Sequence, residues 1–599
     1  MAAAAATTLP SPAEAKITAM GTTCLGKELY DFQTEVIYAL VYEGKSVLAV
    51  RKTGGGKTAV MIGAGLMMEG VIIIVEPLIA LSAMQSLSVD VDGLDAPVHL
   101  DAIKRPEERA MLKKRLESIT ERLGTTLFLY TSPQALAPDG PWFDPVKGMI
   151  ERGVVSLVVN DEAHKTAEDG AYFRPEFAQL RHNLYGLLSL SPLKIATLSM
   201  TATFTEPILK EYRTMLKLDA FDLISWGDVS RRDIDIRMRI ETTSLQPITA
   251  LAADTLQGSG PRKFMSFSNG RGRAMGPVLD SLKKGALDAG VTCDALPLTS
   301  EDTLVMKMYI MQEWRRTEPS TCMDLRLLSC TSTAEVGVDC PVVGAAANDG
   351  IAPSMTAYVQ MMGRIGRGLV NTRDDPPFVW LSSINLASLT ALLWRIRRSE
   401  PRENRVRQRS RLQEVLRFLF LKNGCWHSQL EHMFSDPRKR QRGGTASDLP
   451  PCKDKCPFCR REFGKAVARG AVVRELDAVF RRGAVPLGDI ESSLYAAKAL
   501  IWPSGSGSAS GRICHRDAHR LVLQLVAAEI LEVELRKSGD DKDGKPSYSV
   551  DALWALEAPP PASSVARAAR RQPSRCRRNK VHESEKSWAG IELVEDSKA

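Results

Sequence analysis

Arg51-Lys52-Thr53-Gly54-Gly55-Gly56-Lys57-Thr58 follows a short apolar run, Ser46-Val50, and leads into an apolar helix from Ala59. Three glycines let the backbone fold tightly, so that its N–H groups face phosphate oxygens at a helix N-terminus. Lys57 would reach the β/γ-phosphates of ATP, and the Thr58 hydroxyl would ligate Mg²⁺. The first position is Arg51 rather than Gly, a departure from the plain phosphate-loop form. A second chemical unit is Leu157-Val158-Val159-Asn160, a buried strand running into Asp161-Glu162-Ala163-His164. There Asp161 is placed to hold Mg²⁺, and Glu162 to orient and deprotonate an attacking water. Phosphoryl transfer also needs positive charge on the developing γ-phosphate oxygens. Gln360-Met361-Met362-Gly363-Arg364-Ile365-Gly366-Arg367 offers two arginines, Arg364 and Arg367, with intervening glycines that suit a cleft between domains. Taken alone, that segment reads equally as a solvated helix end.

Four of the eleven cysteines fall in one segment, Cys425, Cys452, Cys456 and Cys459. Thiolates with this close spacing suit a closed tetrahedral structural Zn²⁺ site. His427 and His432 are rival ligands, read more simply as surface or helix-face histidines. The linker between the first two cysteines carries Arg438-Lys439-Arg440-Gln441-Arg442, either a DNA-backbone contact or a solvated charged loop.

These groups need scaffolds. A chain of 599 residues is too long for one core and implies about three to five domains. Apolar runs at Ser46-Val50, Val71-Val75, Leu127-Tyr130, Val154-Val159 and Ile195-Ser199 read as buried parallel strands. Between them lie amphipathic segments such as Arg109 to Leu123. A second set begins near Met238, with strands at Lys263-Phe267, Leu325-Cys330, Gly344-Ala347 and Phe378-Leu381. The fold class is therefore α/β, with two doubly wound parallel-sheet domains. Helices are expected at Val467 to Phe480, Asp489 to Ile501 and His519 to Leu531. Strands Glu532 to Arg536 and Tyr548 to Val550 then flank a polar turn, the order of a winged helix with its wing. The Ala-rich start is expected as a disordered leader over residues 1–23. The end, residues 557–599, is expected as a disordered basic tail, with a run from Arg567 to Lys580 that suits nuclear import or a nucleic-acid tether. No apolar run approaches the roughly 20 residues of a membrane span. A net charge of +8 permits a polyanionic partner without establishing one.

Taken together, the motifs resemble superfamily 2 helicases and, within them, the RecQ family. Gln33 stands where that family has its adenine-reading glutamine. Glu76-Pro77-Leu78-Ile79-Ala80-Leu81 resembles the family's Ser-Pro-Leu-Ile-Ser-Leu strand exit, which touches single-stranded DNA, and Tyr130-Thr131-Ser132-Pro133-Gln134 matches the next motif. Ser199-Met200-Thr201-Ala202-Thr203 resembles the motif linking hydrolysis to strand separation. The segment holding Gly337 and Asp339 resembles motif V, although Ala334 and Glu335 replace the usual Phe and Gly. Phe173-Arg174-Pro175-Glu176-Phe177 is the most discriminating match, since it closes the family's aromatic-rich loop. The loop itself departs: Asp169 stands where a Trp is expected and Ala171 where a His is expected.

The resemblance implies two RecA-like domains (residues 24–228 and 229–398), a small helical zinc-binding subdomain (399–463) and a winged helix (464–556). It implies Arg367 as arginine finger, and nucleotide contacts at Gln33, Thr53, Gly54, Gly55, Gly56, Lys57, Thr58, Gly337, Asp339 and Gln360. The implied cofactors are ATP, Mg²⁺ and structural Zn²⁺. The implied activity is 3′–5′ unwinding of DNA at single-strand and duplex junctions, in repair or recombination. A nuclear location follows from that substrate and the basic tail. Two rival readings are an RNA-directed remodelling ATPase and a DNA-binding or annealing protein with an impaired motor.

Overall fold

The computed structural model describes residues 11–76, 96–122, 124, 126–170, 175–218, 220–240, 245–258, 262–268, 275–299, 301–331, 340, 342–367, 377–399, 402–421, 424–440, 445–462, 467–468, 485–486, 515–528, 531–540, 546–554 and 593–594. The first lobe is built on seven strands: β1 (Ser46–Val50), β2 (Gly70–Val75), β3 (Val98–His99), β4 (Thr126–Thr131), β5 (Val155–Asn160), β6 (Ala196–Thr201) and β7 (Leu223–Trp226). They pair in parallel in the order β3-β4-β2-β5-β6-β1-β7. Its helices are α1 (Pro12–Cys24), α2 (Asp31–Val41), α3 (Lys57–Met68), α4 (Pro106–Glu117), α5 (Phe143–Glu151), α6 (Ala163–Gly170), α7 (Pro175–Asn183) and α8 (Glu206–Leu216).

Because successive strand side chains point to opposite faces, an all-apolar strand builds two cores. In β2, Val71, Ile73 and Val75 pack with Trp142 and Met149 on one side of the sheet. Ile72 and Ile74 pack with Ile37, Val60 and Met61 on the other. Each such fully buried side chain contributes about 1.5–3 kcal/mol relative to exposure.

The second lobe has six parallel strands: β8 (Ile234–Ile240), β9 (Lys263–Ser268), β10 (Asp294–Leu298), β11 (Leu325–Cys330), β12 (Val343–Asp349) and β13 (Phe378–Ile384), ordered β10-β11-β9-β12-β13-β8. Its helices are α9 (Gln246–Leu256), α10 (Met275–Asp288), α11 (Leu304–Arg315), α12 (Met355–Met362) and α13 (Leu386–Arg397). The two doubly wound sheets expected from the apolar runs are both present. The runs missed four strands: β3, which has two residues; β7, which mixes Ser and Trp with its aliphatics; β8, in which charged residues alternate with apolar ones; and β10, which contains Asp294 and Pro297.

Helices α14 (Arg402–Phe420), α15 (Trp426–Phe434) and α16 (Pro437–Arg440) follow the second lobe. The Cys loop after them is bound to β8, with the Ile236 N–H donating to Lys455 O at 2.9 Å. Further on, α17 (His515–Ala527) precedes an antiparallel pair, β16 (Leu531–Asp540) and β17 (Pro546–Trp554), joined at one edge by β15 (Val485–Pro486). The Gln413 amide of α14 donates to Ala527 O at 2.7 Å, which ties α17 to α14. Helix, strand and strand thus follow in the expected order, with α17 earlier in sequence than expected. Among the described residues, no helix is long and apolar enough to cross a membrane.

Three terminal expectations need correction. The leader expected to be disordered over residues 1–23 is helical from Pro12. Ser11 caps α1 (Glu14 N–H to Ser11 Oγ, 3.2 Å), Glu14 answers on the Ser11 N–H (2.7 Å), and Ile17 and Met20 bury into the first lobe. Val467–Ala468 (β14), expected as the start of a helix, is a strand. It pairs in parallel with Leu593–Val594 (β18), in the tail expected to be disordered. Short β-branched and aliphatic pairs of this kind carry too little periodic signal to read from sequence. The remainder of the expected helices between 467 and 501, and the basic run from Arg567 to Lys580, lie outside the described residues.

Candidate ATP-binding cleft and cysteine centre

The phosphate loop takes the form its glycines allow. Gly54 and Gly56 have φ of 75° and 81°, and Gly56 caps α3. A Cβ on Gly56 would lie 2.5 Å from Gln33 Nε2, so both backbone and space exclude a side chain there. Gln33 is buried. It donates from Nε2 to Gly56 O (2.9 Å) and accepts at Oε1 from the Tyr30 N–H (2.8 Å). It therefore braces the loop directly. Lys57 Nζ donates to Arg51 O at 3.1 Å. Burial pulls the Lys57 ammonium below its usual range, while the Glu162 and Asp161 carboxylates oppose that.

Arg51, the departure at the first loop position, does not point to the phosphate site. Its guanidinium donates to Val50 O (2.9 Å), Ser225 O (2.8 Å) and Ser225 Oγ (3.0 Å), and lies over the Phe32 ring. It fastens the loop to β7. Sequence reasoning had no signal for this, because Ser225 is remote along the chain.

Asp161 and Glu162 leave the C-terminal end of β5. The Glu162 N–H donates to Asp161 Oδ1 at 2.8 Å, and Glu162 itself has φ of 45°. A non-glycine residue held there costs on the order of 1–3 kcal/mol, the kind of strain that collects at functional sites. Burial, and next the Asp161 charge, raise the Glu162 pKa; Lys57 and Arg364 oppose them. A carboxylate so raised is a stronger base.

The second lobe closes the cleft. A Cβ on Gly363 would meet Thr53 Oγ1 at 3.1 Å, and one on Gly54 would lie 3.9 Å from Arg367 Cγ. Arg367 thus reaches the phosphate loop. Arg364 is buried, and both Lys57 and Glu162 feel its charge. Across the cleft, Gln360 Nε2 donates to His164 Nε2 at 2.8 Å, and His164 Nδ1 lies 2.9 Å from Thr201 Oγ1. Burial drives the His164 pKa well below its ordinary value, so the ring is neutral with its proton on Nδ1, toward Thr201. Hence His164 joins the Asp-Glu-Ala-His box, the Ser199-to-Thr203 motif and the second-lobe arginine segment in one chain of hydrogen bonds. Its role was missed in sequence because the partner is in another domain.

Gly337, Asp339, Pro77 to Leu81, and Ala171 to Arg174 lie outside the described residues. Of the discriminating segment, Pro175, Glu176 and Phe177 open α7, with Phe177 buried.

The four cysteines converge. Sγ atoms of Cys425, Cys452, Cys456 and Cys459 lie within 4.8 Å of one another. Zn–S bonds of about 2.3 Å in a tetrahedron place sulfurs about 3.8 Å apart, so the donor set fits Zn²⁺. Backbone N–H groups of Cys452 and Cys459 point at Cys425 Sγ (3.2 Å) and Cys456 Sγ (3.5 Å). Neither histidine joins the group. His427, read as a surface or helix-face histidine, lies on α15 and is buried, with Nε2 3.2 Å from Lys455 O. Arg438, considered for DNA contact, is held by Asp436 and Ile224 O (3.1 Å).

Known proteins resemble this chain in sequence. The DEAD/DEAH box helicase family matches residues 30–211. The probable ATP-dependent DNA helicase RecS of Bacillus subtilis is 26% identical over 361 residues, 58% of this chain and 65% of that protein. ATP-dependent DNA helicase Q5 of Mus musculus is 25% identical over 475 residues, 75% of this chain and 42% of that protein. The chain thus carries a DEAD/DEAH box helicase domain and is similar to RecQ-type ATP-dependent DNA helicases. This RecQ-like chain spans less than two thirds of the length of either relative. Helicase Lhr of Mycobacterium smegmatis, solved with ssDNA and AMP-PNP, overlays with a TM-score of 0.46 at 15% identity, over 91% of this chain and 60% of that one.

Proposed function

We propose that the protein is an ATP-dependent DNA helicase of RecQ type that moves 3′ to 5′ along one strand and separates duplex ahead of it. The carrying observation is that Lys57, Asp161 and Glu162 of one lobe meet Arg364 and Arg367 of the other across a single cleft. Thr58 and Asp161 would hold Mg²⁺, which would supply positive charge to neutralise the nucleotide phosphates. Glu162 takes a proton from water as the water oxygen bonds to the γ-phosphorus and the bond to the β-phosphate oxygen breaks. Lys57 and Arg367 stabilise charge on the transferring group. The His164–Gln360 bridge gives the lobes a contact that forms only when they are closed, so that hydrolysis and lobe movement are linked. The four cysteines would hold Zn²⁺ as a structural clasp. We further propose that α17 with β16 and β17 is a winged helix that grips duplex DNA, that the pathway served is repair or recombination, and that the protein acts in the nucleus.

ATPase assays with no nucleic acid, single-stranded DNA or RNA, followed by unwinding of duplexes with 3′ or 5′ tails, test this reading. Stimulation by single-stranded DNA and unwinding confined to the 3′-tailed duplex are expected. Stimulation by RNA alone would favour a remodelling ATPase. DNA binding and annealing without hydrolysis would mark an impaired motor.

A further inference from the structure

Glu76 is a buried ionisable group that the chemistry above leaves unused. It follows β2 directly, at a position where the resembled family motif has Ser. Glu76 is 1% exposed, and neither carboxylate oxygen has a hydrogen-bond partner. A buried carboxylate without a partner is costly, by several kcal/mol for the charged form. The strand register shows what lies around it. Val75 pairs with Asn160 on one side and Thr131 on the other. The Asp161 N–H donates to Val75 O (3.1 Å), and the Glu76 N–H to Thr131 O (2.9 Å). Glu76 and Asp161 therefore occupy adjoining rungs at the C-terminal edge of the sheet.

Alternation fixes the face. Ile72 and Ile74 precede Glu76 at strand spacing, as Leu157 and Val159 precede Asp161, and all four pack into the core that includes Val60 and Met61 of α3. Both carboxyl groups thus leave the sheet on the side of the phosphate loop. Burial, then the Asp161 and Glu162 charges, push the Glu76 carboxyl well above the usual carboxylate range. Its charged neighbours are both acidic. On the next strand Tyr130, paired in register with Ile74, also has a buried hydroxyl without a partner.

We propose that Glu76 is a third member of the divalent-cation site, joining Thr58 and Asp161 and accepting hydrogen bonds from the cation's water shell. A hard divalent cation is the ligand class that oxygen donors of this charge select. Ser at this position would offer a hydroxyl without charge. The inference rests on the reading of the cleft as an ATP site, and the test separates the two.

Mn²⁺ binding to the full chain in the presence of ADP is followed by the electron paramagnetic resonance signal of free Mn²⁺. The proteins compared are wild type, Glu76→Gln, Glu76→Ser and Asp161→Asn, with ADP affinity in EDTA as a check on the loop's integrity. Both Glu76 variants are expected to weaken Mn²⁺ binding about 10-fold, with ADP affinity in EDTA unchanged and Asp161→Asn also weakened. Should the Gln variant fold poorly, Glu76→Ser, which carries the family's residue, gives the same comparison. Wild-type Mn²⁺ affinity in both Glu76 variants, with Asp161→Asn weakened, overturns the proposal and leaves the ATP-site reading standing. Wild-type affinity in all three variants overturns both.

Discussion

Arg51 and Lys57 share a loop and have opposite duties. Lys57 faces the carboxylates across the nucleotide site, whereas Arg51 turns back to Ser225 and Phe32. Lys57→Ala is therefore expected to lower ATP turnover by at least about 10²-fold, as loss of a transition-state charge partner does. Arg51→Ala is expected to keep turnover within a few-fold while losing about 1 kcal/mol of stability with its hydrogen bonds. Steady-state ATPase and thermal melting on the two variants check the contrast. His164 adds a pH dependence. Its folded-state pKa lies well below the ordinary value of 6.5, so the unfolded chain binds the proton first. The stability tied to neutral His164 is full above pH 6.5 and is lost as pH falls below that toward the folded-state pKa. Melting curves across that range should show a steeper acid slope in wild type than in His164→Gln.

Strands and the phosphate loop are the elements the sequence announced most clearly, and the reason is physical. A strand buried on both faces must be apolar throughout, so β2, β4 and β5 stand out as runs. Edge strands such as β3 and β10 are short or polar and leave no such run. Helix α1 was hidden by alanines and threonines that make its start look like a leader, although its Ser11–Glu14 capping box was present in the sequence. At the cleft, the residue types were legible and their partners were not. Lys57, Asp161 and Arg367 announce their chemistry, but the Arg51–Ser225, His164–Gln360 and Glu76–Asp161 juxtapositions arise from strand order and lobe docking. The loop geometry makes its own prediction. Gly56→Ala places a methyl at positive φ against Gln33, so ATP affinity should fall sharply in a nucleotide-binding titration while the sheet keeps its far-ultraviolet circular dichroism.

At the scale of the whole molecule, the segments after the second lobe clasp both lobes. Arg232 of the connection between lobes pairs with Glu431 of α15 (2.7 Å), and the Trp226 indole N–H donates to Phe434 O (2.9 Å). Arg407 and Arg411 of α14 meet Glu211 of α8 in the first lobe. The cysteine loop is fastened to β8 by Arg460, which bonds to Asp235 and to Ile236 O (2.6 Å). Loss of the metal that the four cysteines fit should therefore loosen the lobe arrangement before it unfolds either lobe. Metal analysis is expected to find one Zn²⁺ per chain. Cys456→Ser should lower the melting temperature and DNA-stimulated hydrolysis together, while ADP binding to the first lobe survives.

An ATP site assembled from two lobes is the arrangement proposed for the cleft. Its most direct test is single-turnover ATP hydrolysis with saturating single-stranded DNA, comparing wild type with Arg367→Ala. A second-lobe arginine that completes the site should, when removed, slow hydrolysis by about 10³-fold or more while ATP affinity stays near wild type. Hydrolysis by Arg367→Ala at the wild-type rate would contradict a composite site and confine the chemistry to the first lobe.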